Sequence, residues 1–140
     1  DLNVSSYIPE EYILDGSQKI EIYQDIALCK NEKDIQDVTD EIIDRFGNPP
    51  VEIENLLDIA RIKYLAKPLH ITKIQSKKTA VIFTFGNNKI NIDLNKLVEK
   101  YGTKIKFSAG IKPLITLEIG TTNERQILND TTEFLRDVSN

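Results

Sequence analysis

The stretch Asp40-Glu41-Ile42-Ile43-Asp44-Arg45-Phe46-Gly47-Asn48-Pro49-Pro50 joins the end of one predicted helix to the start of the next. The apolar residues that lead into it have helical spacing: Ile35, Val38, Ile42 and Phe46. Gly47 provides the left-handed residue that commonly follows a helix, and the Pro49-Pro50 pair prevents the helix from continuing. Pro50 also suits the first turn of a following helix. The chain is therefore expected to turn sharply here between two helices.

The helices around this turn have recognisable ends. Asn31 is a suitable N-cap for the helix before it, and acids in its first turn suit the positive end of the helix dipole. The helix after it should run from Val51 to about Lys67. It is apolar around most of its surface, so we expect it to be the most buried of the helices. A further helix is predicted to start at Asp15-Gly16-Ser17-Gln18 and to end near Lys30.

After Pro68 the apolar period changes from helical to alternating, which indicates strands. The predicted elements are strands at 71–75 and 80–85 around a turn at 76–79, a turn at 86–88, a helix capped by Asp93 and ending at Tyr101-Gly102, strands at 104–109 and 114–119, and a last helix that begins with the capping box Thr121-x-x-Glu124. The order strand-strand-helix therefore occurs twice.

We predict one α+β domain over residues 1–140, because no low-complexity linker separates the two halves. A three-helix segment (residues 1–67) should pack with a mixed half (residues 68–140) that holds a mainly antiparallel sheet. The chain has no Met and begins at Asp1, so we expect it to be a piece of a longer protein. The lone Cys29 favours a reducing compartment, and we expect a cytoplasmic location without a membrane partner.

The net charge of −4 conceals an uneven distribution along the chain. Residues 1–66 hold 15 acids and 6 bases, whereas residues 67–122 hold 10 Lys, no Arg and 3 acids. Such a division suggests two faces with different partners. It is equally typical of exposed helices that carry acids and exposed strands that carry lysines.

The residues needed for catalysis or metal binding are few. His70 is the only imidazole, without a nucleophile or orienting group near it in the sequence, and we expect a structural or surface role. Cys29 lies on the apolar side of the first helix and should be a small buried hydrophobe. One Cys and one His do not make a zinc site, and the chain has no GxxxxGK[ST] loop. We therefore expect this chain to have no catalytic site, cofactor or metal.

The most distinctive constellation is a row of acids on the helix before the Gly47 turn. Asp37, Asp40, Glu41 and Asp44, here called the acid ridge, stand at i, i+3, i+4 and i+7, beside the apolar stripe. Because Arg45 is the only base after Lys33 on this helix, the ridge is expected to be uncompensated. Such a ridge is either a solvated face or a surface for an arginine-rich partner.

A second candidate surface is the lysine-rich region of the strands. Its lysines are Lys73, Lys77, Lys78, Lys89, Lys104, Lys106 and Lys112, and aromatic residues stand between them: Phe83, Phe85, Tyr101 and Phe107. A sheet of this kind could stack bases, which makes an accessory nucleic-acid-binding module the alternative function. The absence of Arg and the core-like alternation of the Phe residues argue against it.

Several segments together resemble the C-terminal domain of the bacterial transcription-repair coupling factors, the Mfd family. They are Tyr7-Ile8-Pro9-Glu10-Glu11-Tyr12-Ile13, Lys19-Ile20-x-x-Tyr23, Asp40-Glu41-Ile42-Ile43-Asp44-Arg45-Phe46-Gly47-x-x-Pro50 and Leu56-Leu57-x-Ile59-Ala60-Arg61. The match covers about residues 7 to 65, and beyond it only the order of elements agrees.

The resemblance implies that the parent is an ATP-driven translocase on double-stranded DNA that displaces stalled RNA polymerase and recruits excision repair. It implies that this domain is a regulatory clamp, which packs on the parent's N-terminal UvrB-like module and hides the surface that binds UvrA. By position, Glu41 and Asp44 would face arginines of that module, with Asp37 and Asp40 beside them. ATP would then be a cofactor of the parent alone.

Overall fold

The computed structural model describes residues 1–86 and 92–139. Its main elements are α1 (Gly16–Ala27), α2 (Glu32–Phe46), α3 (Val51–Ala66), β1 (Ile71–Lys77), β2 (Ala80–Phe85), α4 (Leu94–Tyr101), β3 (Ile105–Ser108), β4 (Leu114–Glu118) and α5 (Glu124–Ser139), with short 3-10 turns at Lys67–Leu69 and Gly102–Lys104. The predicted α+β class and its repeated strand-strand-helix order are confirmed. Lys89 and the turn predicted after Gly86 lie outside the described residues.

The chain divides into two compact units, residues 4–64 and residues 65–140 together with residues 1–3. The first is the helical unit and the second the mixed unit. Their division lies close to the predicted boundary between the halves, and the single-domain organisation stays a prediction. None of the described helices has the length and apolarity of a membrane span.

The helix ends of the helical unit follow local capping chemistry. Asn31 caps α2 by accepting a hydrogen bond from the Asp34 amide at 2.9 Å, and Gly47 ends α2 with φ of 88°. Both were predicted. However, α1 ends at Ala27 rather than near Lys30. The reason is that the Lys30 amide donates to the Asp34 carboxylate at 3.0 Å and so leaves the helical hydrogen-bond pattern.

The helical unit encloses a core that includes its N-terminal segment. The buried residues are Ile8, Ile13, Ile22, Ile26, Cys29, Ile35, Ile42, Ile53, Leu57 and Ala60. The Asn55 amide of α3 is buried and donates to the Ser5 carbonyl at 2.9 Å. The Tyr23 hydroxyl accepts from the Ile8 amide at 2.8 Å. These two bonds hold the extended N-terminal segment against α3 and α1.

The sheet of the mixed unit has the strand order β1-β2-β4-β3, and every neighbouring pair is antiparallel. The turn predicted at residues 76–79 is too long, because Ser76 and Lys77 pair with Val81 and Ala80. Only two residues connect β1 to β2, and Lys78 adopts a left-handed φ of 56° there. Positive φ is typical of such two-residue hairpin turns.

One face of the sheet packs on α5. Phe83 stacks on Phe134 with ring centroids 4.7 Å apart, and Tyr101 meets Phe134 edge-on at 5.5 Å. The capping box predicted from Thr121 and Glu124 is wrong. Asn123 caps α5, since its side chain accepts from the Gln126 amide at 3.0 Å, whereas the Thr121 hydroxyl accepts from the Asn123 amide before the helix begins.

Thr131 on α5 offers a test of this core. Its hydroxyl oxygen is buried without a hydrogen-bond partner among the described residues. An unsatisfied buried polar group costs about 1–3 kcal/mol, so Thr131→Val should raise the free energy of unfolding by about 1 kcal/mol. Urea denaturation followed by circular dichroism measures this change.

Thr39→Val is the matched control, because the Thr39 hydroxyl donates to the Ile35 carbonyl at 2.7 Å. This variant should gain no stability. If Thr131→Val proved less stable than the wild type, its hydroxyl would have a partner and the packing described for α5 would be wrong.

Candidate functional site: the acid ridge

The four acids of the ridge lie on the side of α2 that faces away from the core. Asp37, Asp40 and Asp44 are exposed and Glu41 is partly exposed, while the side chains of Ile35 and Ile42 are buried. The helix thus separates its acids from its apolar stripe, as the spacing predicts. Because α2 is capped at both ends, the ridge is held on a rigid element.

Three of the four ridge acids have partners one helical turn away. The pairs are Lys33–Asp37 at 3.0 Å, Gln36–Asp40 at 2.9 Å and Arg45–Glu41 at 3.4 Å. The hydrogen bond to Asp37 raises the pKa of Lys33. The expectation of an uncompensated ridge is therefore wrong for Asp37 and Glu41, whereas Asp40 is bonded only by the neutral amide of Gln36. The reason is that side chains at i and i+4 meet on a helix surface, and α2 has a donor at each of these positions.

Asp44 is the exception within the acid ridge. Its carboxylate has no hydrogen bond or ion pair with any residue in the described parts of the chain. It lies in the last turn of α2, where the negative end of the helix dipole disfavours an acid. A cation of a partner protein would offset the repulsion between Asp44 and the helix dipole, and Asp44 would not have to give up an existing contact to bind it.

Arg45 joins α2 to α1 next to the ridge. Its guanidinium bonds Glu21 at 3.1 Å and Glu41 at 3.4 Å, and it lies 5.0 Å from the centre of the Phe46 ring. Oxygens of Glu21, Asp25 and Glu41 approach within 4.8 Å of one another. The positive charge of Arg45 offsets the mutual repulsion of these carboxylates, and they can therefore lie close together. Glu41 is consequently held in place by a cation of its own unit.

An ion-pair network that was missed from the sequence connects the start of α2 to α3. Arg61 donates from Nε and from Nη2 to Glu32, each at 2.8 Å, and from Nη1 to Asp58. The Tyr64 hydroxyl also donates to Glu32 at 2.9 Å. The hydrogen bond to Glu32 is the main reason that the pKa of Arg61 is raised. From the sequence, only the Asp58–Arg61 pair could have been predicted, since these residues are three apart on one helix. Glu32 lies 29 residues from Arg61, so no local pattern connects the two.

The lysines of the mixed unit lie apart from its aromatic rings. Strand pairing puts Lys73, Lys77 and Lys106 on the face of the sheet opposite to Phe83, whose ring is fully buried. Phe85 is also buried, Tyr101 packs on α5, and Phe107 shares the sheet face of Phe83. The arrangement of lysines and aromatics that base stacking needs is therefore not formed by the described residues.

A polar cluster joins α4 to α5 in the mixed unit. Lys100 bonds Asp137 at 2.6 Å and Glu133 at 3.3 Å, and the Tyr101 hydroxyl donates to Asp137. Burial and then the bond to Asp137 raise the pKa of Tyr101. A cleft of about 480 Å³ opens beside these groups, lined by Lys96, Leu97, Glu99, Lys100 and Asp137. Because Lys100 is already paired, the cluster serves to hold α4 on α5.

His70 and Cys29 were the other chemically distinctive residues, and the structure gives each a structural environment. His70 is exposed after a 3-10 turn with φ of 59°, and its carbonyl accepts from the Gly86 amide at 2.8 Å. Cys29 is buried, and burial is the main cause of the raised pKa of its thiol. A raised pKa disfavours the reactive thiolate.

Comparisons with known proteins identify the family. The sequence model of one protein family, the TRCF domain, matches residues 2–97 of this chain. The transcription-repair-coupling factor of Rickettsia conorii is 35% identical over 113 residues, which cover 81% of this chain and 10% of that protein. The same factor of Bacillus subtilis is 38% identical over 109 residues, which cover 75% of this chain and 9% of that protein. The chain thus spans about a tenth of the length of these relatives.

A solved structure agrees in fold. The crystal structure of a C-terminal domain of transcription-repair coupling factor superposes with a TM-score of 0.87 at 22% identity, covering 99% of this chain and 91% of that one. The helices and the antiparallel sheet of this chain therefore have the same fold as that domain. Together with the family model and the curated relatives, this likeness shows that the chain belongs to the TRCF domain family of the transcription-repair-coupling factors.

Proposed function

We propose that this chain is a regulatory, autoinhibitory interaction domain of a transcription-repair coupling factor. In this proposal it clamps the N-terminal UvrB-like module of the same protein and masks the surface that binds UvrA. The parent is then an ATP-driven translocase on double-stranded DNA that contacts RNA polymerase. Family membership supports the repair context, and the acid ridge supports the mode of binding.

The proposal is carried by Asp44, which has no partner among residues 1–86 and 92–139 and lies one turn from Glu41 at the end of a capped helix. A carboxylate without an internal partner can accept a bidentate bond from an arginine of another module. Glu41 lies one turn back on the same ridge, where Arg45 already holds it in place. We assign Asp44 the leading contact and Glu41 the second one, with Asp37 and Asp40 at the edge of the interface.

Binding of this chain to the isolated N-terminal module tests the proposal. The double reversal Glu41→Lys/Asp44→Lys should weaken the affinity about 10- to 100-fold, since each of two exposed charge pairs contributes about 1 kcal/mol and the reversal adds like-charge repulsion. Isothermal titration calorimetry at two salt concentrations measures the loss.

Asp37→Lys is the control for the binding assay, because Asp37 lies one turn further from Gly47 and already pairs with Lys33. It should weaken binding by less than the double reversal. Equal affinity of the wild type and the double reversal, with unchanged circular dichroism, would mean that the acid ridge is only a solvated face.

A further inference from the structure

The lysine-bearing face of the sheet, here called the lysine face, is an open surface of the mixed unit. It consists of side chains from all four strands: Lys73, Gln75 and Lys77 from β1, Ala80, Ile82 and Thr84 from β2, Leu114, Thr116 and Glu118 from β4, and Lys106 and Ser108 from β3. The opposite face carries Phe83 and packs on α5. None of the strand residues on the lysine face is buried, whereas Val81, Phe83 and Ile115 on the other face are fully buried.

The centre of the lysine face is apolar. Ile82 pairs with Thr116 and Leu114 pairs with Thr84, so the two aliphatic side chains are diagonal neighbours on adjacent strands. Diagonal neighbours lie about 7–8 Å apart, within reach of one another. Both remain partly exposed. An occupant that laid an aliphatic side chain over this pair would remove apolar area of both residues from water.

The rim of the lysine face is cationic. Lys73 and Lys77 lie four residues apart on β1, about 13 Å along the strand, and Lys106 lies about 14 Å across the sheet on β3. Among the described residues these three lysines have no ion pair or hydrogen bond. Glu118 lies on the same face and stays ionised, because hydrogen bonds from the Thr79 hydroxyl and the Gly120 amide, and then the charge of Lys106, lower its pKa. One acid against three lysines leaves the face with a net positive charge.

We propose that the lysine face docks an acidic protein segment that alternates carboxylates with aliphatic residues. The charge of the rim selects a polyanion, and the apolar centre selects a protein over a nucleic acid. An apolar centre within a polar rim is the usual anatomy of protein interfaces. Phosphates would gain nothing from Ile82 and Leu114, and no aromatic ring on the lysine face is available for stacking bases.

A nuclear magnetic resonance titration of the whole chain tests this proposal. The probe is the blocked peptide Glu-Val-Glu-Leu-Glu-Val-Glu, with a 12-base-pair DNA duplex as the competing polyanion. The peptide should shift the amides of β2 and β4, and the double reversal Lys73→Glu/Lys106→Glu should weaken its binding at least tenfold. Leu114→Ser should weaken it also at high salt, where charge contributes little.

The control Lys104→Glu/Lys112→Glu makes the same change in net charge at two exposed lysines outside the lysine face. It should change the affinity by less than about threefold, since screening at physiological salt weakens distant charges. Three results would overturn the proposal: no shift of the β2 and β4 amides, equal loss in both double reversals, or tighter binding of the DNA duplex than of the peptide at those amides.

Discussion

Replacement of Phe134 by alanine is expected to lower the free energy of unfolding by about 3–5 kcal/mol. Phe134 is fully buried on α5, and its ring contacts both Phe83 and Tyr101. The change removes two aromatic contacts and leaves a cavity between the sheet and α5. Such a loss is a large part of the about 5–15 kcal/mol that stabilises an ordinary protein. Urea denaturation followed by circular dichroism is the appropriate measurement.

Phe107→Ala provides the comparison for this prediction. Phe107 lies on the same sheet face as Phe83 but is 40% exposed, so its truncation should cost less than half as much as that of Phe134. Similar losses for the two variants would contradict the placement of α5 over the centre of the sheet.

Replacement of Arg61 by methionine is expected to cost about 2–4 kcal/mol, near the range for breaking a buried ion pair. The Arg61 side chain is only 17% exposed and that of Asp58 only 12%, so the change leaves a poorly hydrated carboxylate without its cation. It also removes two hydrogen bonds to Glu32. Methionine keeps most of the buried aliphatic length, so the loss reports the charge and its hydrogen bonds. Thermal unfolding of the helical unit measures it.

Arg45→Met tests the same chemistry at an exposed site. Its partners Glu21 and Glu41 have side chains that are 52% and 42% exposed, and water can replace the lost contacts. We expect a cost of about 0–1 kcal/mol. If Arg45→Met were as damaging as Arg61→Met, the low exposure of Arg61 and Asp58 would not be the reason that their ion pair is costly to break.

Features set by neighbouring residues were predictable from the sequence. Asn31, Gly47 and Asp93 act at helix ends as their local chemistry requires. The cap of α5 was predicted at the wrong residue because two possible capping residues, Thr121 and Asn123, lie close together. The Asn123 side chain accepts a hydrogen bond from an amide in the first turn of α5, whereas the Thr121 hydroxyl does not. The predicted β1–β2 turn began two residues too early, at Ser76. Ser76 and Lys77 belong to β1, but polar residues of this kind are as common in turns as at the ends of strands.

The candidate site was predictable in position but not in its pairing. Helical spacing put the acids on one side of α2, whereas the contacts of Asp37, Asp40 and Glu41 depend on which side chains meet. The Arg61–Glu32 bonds arise from tertiary packing and could not be predicted, because the two residues lie 29 positions apart in sequence. The alternation of Phe83 and Phe85 indicated core positions, whereas strand register decides which lysines share the opposite face.

The proposed clamp is tested most directly by the binding of UvrA to the full-length parent that carries Glu41→Lys/Asp44→Lys. Both positions lie on the exposed side of α2, so the fold should persist, and circular dichroism checks this. If the proposed clamp exists, the double reversal should bind UvrA more tightly than the wild type in the absence of RNA polymerase, because reversal of the two charges would open it. A folded double reversal that binds UvrA no better than the wild type would contradict the proposed role of the acid ridge.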